Sequence, residues 1–153
     1  MNEQTLYSSA VALLKQLIQT SSFSKEEQRT AEHIKQHLLQ FDITAEQLGN
    51  NIIAKNKYFD PAKPTILLNS HHDTVKPNPN YTLNPFDPIE KDGKLFGLGS
   101  NDAGGCLVSL IAAFIHFYDK PSLPYNVMLV ASAEEEISGY NGIEAVVKEL
   151  PPI

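Results

Sequence analysis

Three groups of residues in this chain have the types and spacing for chemistry: His71-His72-Asp73, Asp102, and Glu134-Glu135-Glu136. Each stands at the end of an apolar segment. About thirty residues separate each from the next, roughly one strand–helix unit of an α/β domain. Such domains collect ligands at the carboxyl ends of their strands. Three groups of metal-binding type at three such ends suggest one hydrolytic site held by metal ions.

Each group has a chemical reading and a plainer one. His71 and Asp73 are two residues apart just past an apolar run, so continued extension points both side chains to one side. A metal-bound imidazole donates its second N–H to an acceptor that fixes its tautomer, which would make Asp73 an orienting group. A structural or surface pair is the competing reading. His72 faces the other way and is read as a non-ligand. Asp102 lies in Gly99-Ser100-Asn101-Asp102-Ala103-Gly104-Gly105, ahead of an apolar helix. Its carboxylate could bridge two cations near the positive helix end; taken alone, a helix cap is the simpler reading. Glu134-Glu135-Glu136 follows the apolar run Val127–Ala133. Adjacent carboxylates repel unless positive charge is near. A metal supplies that charge, with one carboxylate ligating and its neighbour accepting a proton from activated water. A solvated acidic turn is the alternative. The three together are more specific than any one.

The elements that must position these groups follow from periodicity and punctuation. Val11, Leu13, Leu14, Leu17 and Ile18 mark a helix over about Leu6–Gln19. Ser24-Lys25-Glu26-Glu27 reads as a capping box opening a second helix to about Phe41. Gly49-Asn50-Asn51 turns a hairpin between Thr44–Leu48 and Ile52–Tyr58. Thr65–Ser70 and Tyr125–Ala133 predict buried strands. Asp92-Gly93 predicts a second hairpin between Ile89-Glu90 and Leu95-Phe96. Ala103 to Tyr118 predicts a buried helix, and Ile143–Leu150 a last one, stopped by Pro151-Pro152. The alternation predicts an α/β fold with a mixed central sheet flanked by helices.

On these residues the chain resembles the acetylornithine deacetylase and succinyl-diaminopimelate desuccinylase family of di-zinc amidohydrolases. The segment Ile66–Val75 resembles the family's first metal motif, Gly99–Gly105 its bridging-aspartate motif, and Ala133–Glu136 its acidic pair. The resemblance implies a zinc-dependent exopeptidase-like catalytic domain with two zinc (or cobalt) ions. It implies that His71 binds one metal, Asp73 orients it, Asp102 bridges both, Glu135 is the general base and Glu136 binds the other metal. The register within Glu134–Glu136 is open by one; Ile137 after the pair favours Glu135-Glu136. The family usually has Gly at Ser70, and different residues at Ala103 and Gly104; neither change removes a ligand. Its remaining ligands, an acidic residue and a later His, have no counterpart in these 153 residues. Nor has its lid and dimerisation domain, through which full-length members are expected to form homodimers. Residues 1–153 are therefore expected to be the N-terminal portion of one catalytic domain, inactive alone. The implied substrate is a small N-acyl amino acid, first N-acetylornithine in arginine biosynthesis.

Composition narrows the alternatives. A formal net charge of −6 argues against a nucleic-acid partner. No apolar run approaches the roughly 20 residues of a membrane span, and Met1-Asn2-Glu3-Gln4 does not open a signal peptide. Cys106 is the only cysteine, which excludes an internal disulfide and favours a cytoplasmic location. Cys106 is expected to pack in the core, His33 and His37 to lie on a solvated helix face, and His116 on a helix surface. Rival readings are a related di-zinc aminopeptidase or another dipeptidase or carboxypeptidase, and a non-catalytic metal-binding module.

Overall fold

The computed structural model describes residues 2–150; the expected stop at Pro151-Pro152 lies outside them. Helix α1 (Glu3–Ile18) opens on Asn2, whose side chain accepts the Thr5 amide at 2.8 Å. Helix α2 spans Gln28–Leu39. Strands β1 (Glu46–Leu48) and β2 (Asn51–Lys55) form the first hairpin. Strand β3 is Thr65–His71. The second hairpin is β4 (Ile89–Lys91) and β5 (Lys94–Phe96). Asp92 and Gly93 both take positive φ there, the pairing that a two-residue hairpin turn requires. Helix α3 (Cys106–Tyr118), strand β6 (Asn126–Ser132) and helix α4 (Ile143–Glu149) complete the order.

The main sheet has the order β1-β2-β6-β3, with β3 parallel to β6 and the other pairs antiparallel. It is the mixed sheet the sequence predicts. Strand β6 is buried along its whole length because both of its faces are covered. Val127, Leu129 and Ala131 pack with Leu13, Leu17, Ile34, Leu38, Leu107, Ile111 and Phe114 from α1–α3. Met128 and Val130, one residue out of phase, pack with Ile53 and with Val146 of α4. Two-sided burial is why β6 reads as an unbroken apolar run rather than an alternation.

Several expectations need correcting. Strand β3 is not buried like β6: it pairs on one side only among the described residues, and Ile66 is 45% exposed. The second helix does not begin at Ser24. Lys25 has φ 76°, incompatible with a helix, and Glu27 makes no cap to α2. The serine and glutamate of the apparent capping box serve tertiary contacts instead. The third helix begins at Cys106 rather than Ala103; ahead of it, Ser100–Gly105 forms a wide turn in which Asp102 and Ala103 leave helical φ/ψ. By length and composition Ser100–Tyr118 is long and apolar enough to cross a membrane. Its apolar character is explained by Leu107, Val108, Ile111 and Phe114, which enter the common core.

Cys106 is exposed, since it precedes the buried stripe of α3 and falls on its outer side with Ser109 and His116. His37 is buried, its ring 5.3 Å from that of Phe41. His33 sits between Gln16 (2.9 Å) and Thr20 (3.1 Å). Burial lowers the pKa of both imidazoles, with Arg29 adding to the effect at His33. This face of α2 meets α1 rather than solvent.

Candidate metal centre

Because β3 and β6 are parallel and in register, His71 opposite Ser132, their carboxyl ends leave the sheet side by side. The His72 amide still donates to the Ser132 carbonyl at 3.0 Å, extending the pairing one residue. Extended alternation then separates the neighbouring imidazoles. His72 turns inward and is buried; its Nε2 donates to the Asn50 carbonyl (3.0 Å), and its Nδ1 meets the Thr30 hydroxyl (2.8 Å). Burial lowers its pKa, so it is held neutral. Its place as a non-ligand follows from that enclosure.

His71 turns the other way. Its Nδ1 faces the Asp73 carbonyl at 3.1 Å and Asp73 Oδ1 at 3.3 Å. With two acceptors there, Nδ1 carries the proton and Nε2 is presented outward. Nε2 lies 3.1 Å from Asp102 Oδ1 and 3.6 Å from Glu135 Oε2. The hydrogen bond to Asp73 is the main reason the His71 pKa is raised to about 9; burial opposes it, and Asp102 and Glu135 add to it.

Asp73 has no solvent exposure. Burial alone would raise its pKa, but it is held at about 2 by hydrogen bonds from His71, Ser24 and the amides of Glu136 and Glu135. The Ser24 hydroxyl donates at 2.7 Å, and the two amides at 3.1 Å each. Ser24 arrives because the α1–α2 connection runs beside residues 72–74: Phe23 bridges Thr74, and the Thr74 amide donates to the Ser22 carbonyl at 2.9 Å. Asp73 thus contacts the His71 imidazole and also fastens the acidic turn. That second task was not legible in the sequence. Ser24, Glu27, Asn50 and Asn141 also support the centre and carry no local sign of it; Ser24-x-x-Glu27 shows only the pattern of a helix cap.

The acidic run divides in two. Glu134 is buried, with φ 54° and ψ 22°, and its carboxylate accepts from the Asn141 side chain at 3.0 Å. Glu135 and Glu136 sit on a short 3-10 turn, Glu135–Ile137. Glu135 reaches His71, and Glu136 joins His71 and Asp102 in a cluster whose ligand atoms lie within 4.8 Å of one another. Burial first, then the charges of Asp102, Asp73 and Glu135, raises the Glu136 pKa against the pull of His71.

Asp102 is delivered by the wide turn before α3. Gly99 there has φ 72°, and a Cβ on Gly104 would strike the Gly99 carbonyl and Leu14. The Asp102 side chain caps no helix: α3 follows Gly105 and has no side-chain cap. Its side chain is 79% exposed and opens on a cleft of about 300 Å³ lined by Thr74, Tyr81, Leu98, Asp102 and Glu136 among others. One imidazole and two carboxylates form a donor set suited to zinc or a similar cation. Two ligand atoms on one tetrahedral zinc stand about 3.3 Å apart, near the His71–Asp102 spacing of 3.1 Å. The second carboxylate oxygen of Asp102 and the carboxylate of Glu136 are further donors that a neighbouring cation would need. The residues fit such a group.

Residues 67–152 match the family described as Peptidase family M20/M25/M40, and the chain belongs to that family. A probable succinyl-diaminopimelate desuccinylase of Staphylococcus epidermidis is 27% identical over 135 residues, covering 85% of this chain and 33% of the relative. Among solved structures, the M20 family metallo-carboxypeptidase Sso-CP2 of Sulfolobus solfataricus superposes with a TM-score of 0.76 at 23% identity, over 97% of this chain and 34% of that one. A Bacillus subtilis protein described as a dinuclear metal-binding peptidase gives 0.69 at 16% identity, over 96% and 40%. The chain spans about a third of the length of the curated relatives it matches. Members of this family hydrolyse amide bonds.

Proposed function

We propose that this chain carries the N-terminal portion of the catalytic domain of a metal-dependent amidohydrolase acting on N-acyl amino acids. The observation that supports the reading most is the convergence of His71, Asp102 and Glu136 within 4.8 Å, with Glu135 beside them. In this proposal His71 and Glu136 would each hold one of two cations, zinc or cobalt, and Asp102 would be shared between them. The cations supply Lewis acidity toward the amide carbonyl and make water more acidic. Asp73 holds the His71 tautomer with Nε2 outward. Glu135, within 3.6 Å of His71 Nε2, takes a proton from the attacking water and returns it to the leaving amine nitrogen. Three donors give each cation two protein ligands, one short of the usual three in catalytic zinc sites. The remaining ligands are proposed to come from outside residues 1–153, and hydrolysis to need them. Homodimer formation and a cytoplasmic location belong to the same proposal.

For the substrate, N-acetylornithine in arginine biosynthesis is the choice from the His71–Val75 run; the name of the Staphylococcus relative favours an N-succinyl amino acid. A second reading, a carboxypeptidase or dipeptidase, is favoured by the names of the solved structures. All cleave an amide, so the discriminating experiment is a substrate panel. The chain completed by its missing ligands is loaded with zinc and offered N-acetylornithine, N-succinyl-diaminopimelate and dipeptides, with release of free amine measured. Cleavage of one acyl substrate, lost in Glu135→Ala, supports the proposal. Cleavage of dipeptides alone transfers support to the peptidase reading. A Glu135→Ala protein with wild-type turnover refutes the assignment of the base.

A further inference from the structure

Glu27 touches no residue of the metal cluster directly, yet like Asp73 it has no solvent exposure. Its Oε1 accepts the amides of Lys25 (2.8 Å) and Glu134 (3.1 Å), and its Oε2 accepts the Asn50 side chain at 2.7 Å. Each of these partners is a donor, which suits an acceptor-only carboxylate. Glu134 is where the chain leaves β6 and bends into the left-handed region that residues with a Cβ seldom occupy. Three consecutive amides follow that bend onto two buried carboxylates: Glu134 onto Glu27, then Glu135 and Glu136 onto Asp73. Glu27 comes from the connection before α2, and Asp73 from the end of β3. The acidic turn is therefore fastened from two independent elements.

We propose that Glu27 is a positioning residue of this centre: by holding the Glu134 amide it sets the bend that aims Glu135 and Glu136 at His71 and Asp102. The proposal rests on the reading of Glu135 and Glu136 as the working carboxylates. Its mechanism is local. Removing the carboxylate leaves the buried Glu134 amide without an acceptor, which favours its opening to water, and releases the Lys25 amide as well. The bend then loses its tie to the α1–α2 connection and keeps only the Asp73 contacts further along the turn and the local contacts of Asn141 and Gly139 with Glu134. An amide side chain at position 27 restores an acceptor for the two backbone groups, and Asn50 can turn to meet it.

The test uses the isotope-labelled chain, first without metal and then titrated with cobalt(II). The variants are Glu27→Ala, Glu27→Gln, Glu27→Asp and Thr30→Val. Thr30 is an equally buried control, whose hydroxyl bonds His72 and the Glu27 carbonyl but nothing in the acidic turn. In Glu27→Ala, hydrogen exchange at the Glu134 amide is expected to accelerate at least about tenfold. The Glu135 and Glu136 amide resonances move, and cobalt binds about tenfold more weakly or worse. Glu27→Gln recovers most of both. Thr30→Val lowers Tm but leaves the turn resonances and the cobalt affinity within about twofold. Should Glu27→Ala fail to fold, Glu27→Asp carries the test, because its shorter side chain withdraws from the Glu134 amide. A folded Glu27→Ala or Glu27→Asp protein with an unchanged turn overturns the proposal, as does Thr30→Val disturbing the turn equally. If the wild-type chain binds no cobalt, the amide exchange and the turn resonances decide the positioning role, and the metal reading falls only if the chain completed by its further ligands also binds none.

Discussion

Replacing Asp73 by Asn tests the electrostatics of the centre without changing its shape. The native carboxylate receives Ser24, the amides of Glu135 and Glu136, and Nδ1 of His71. Asparagine presents one oxygen and one NH2 group in the same space, so at least one donor loses its acceptor. Asp73 is the largest cause of the raised His71 pKa of about 9. In Asp73→Asn that value should fall by roughly one to two units, the residue of the shift coming from Asp102 and Glu135. The stability consequence has a definite pH window. Asp73 is depressed to about 2 in the folded chain, so its contribution is present above the unfolded value near 3.9 and lost as pH falls through 2. His71 is raised, so its contribution is complete below the unfolded value near 6.5 and lost as pH rises through 9. The two describe one pair and are not summed; together they place the loss in Asp73→Asn at about 2–3 kcal/mol between roughly pH 4 and 6.5. The assay is urea unfolding of metal-free protein at pH 5.5 and 9.5, with the His71 ring followed by NMR titration. The gap between wild type and variant should be larger at the lower pH. An unmoved His71 pKa, or a gap that widens on going to pH 9.5, would refute the reasoning.

Three further outcomes follow from the same geometry. Cation binding at His71 Nε2 must displace a proton held to about pH 9, so zinc affinity should rise about tenfold per pH unit between 7 and 8.5; calorimetry in buffers of different ionisation enthalpy should detect about one released proton, and a flat profile would contradict it. Gly139→Ala places a methyl against the Glu134 carboxylate, and should cost about 1–3 kcal/mol and shift the Glu135 and Glu136 amide resonances. A destabilised variant with those resonances unmoved would count against the packing described. Cys106 lies on the surface of α3, so Cys106→Ser should change stability by no more than about 0.5 kcal/mol; the native thiol should react with a thiol reagent in the folded state, and protection until unfolding would place it in the core instead.

Much of the fold was legible because its causes are local. Asp92-Gly93 names its hairpin turn, and the spacing of Leu13, Leu14, Leu17 and Ile18 names a helical face. The site was legible as far as residue type and order go: His71, Asp102 and Glu136 do converge. Less legible are polar side chains that take a distant partner in place of a near one. Ser24 and Glu27 carry the pattern of a helix cap, and nothing within four residues reveals that Asp73 and Glu134 are stronger claimants. Asp102 likewise looks like a cap until the wide turn carries it away from α3. His33 and His37 look solvated until α1 is laid against them.

The sequence by itself determined the kinds of elements, their order, the mixed sheet and the three chemical groups, because periodicity and turn chemistry act over a few residues. Only the tertiary structure decided what seals His72 in, what buries Glu134, and what holds Glu135 and Glu136 beside His71. Those choices depend on burial and on hydrogen bonds spanning up to 107 positions, from Glu27 to Glu134. A buried carboxylate is satisfied by whatever donors the fold brings to it, not by those nearest along the chain.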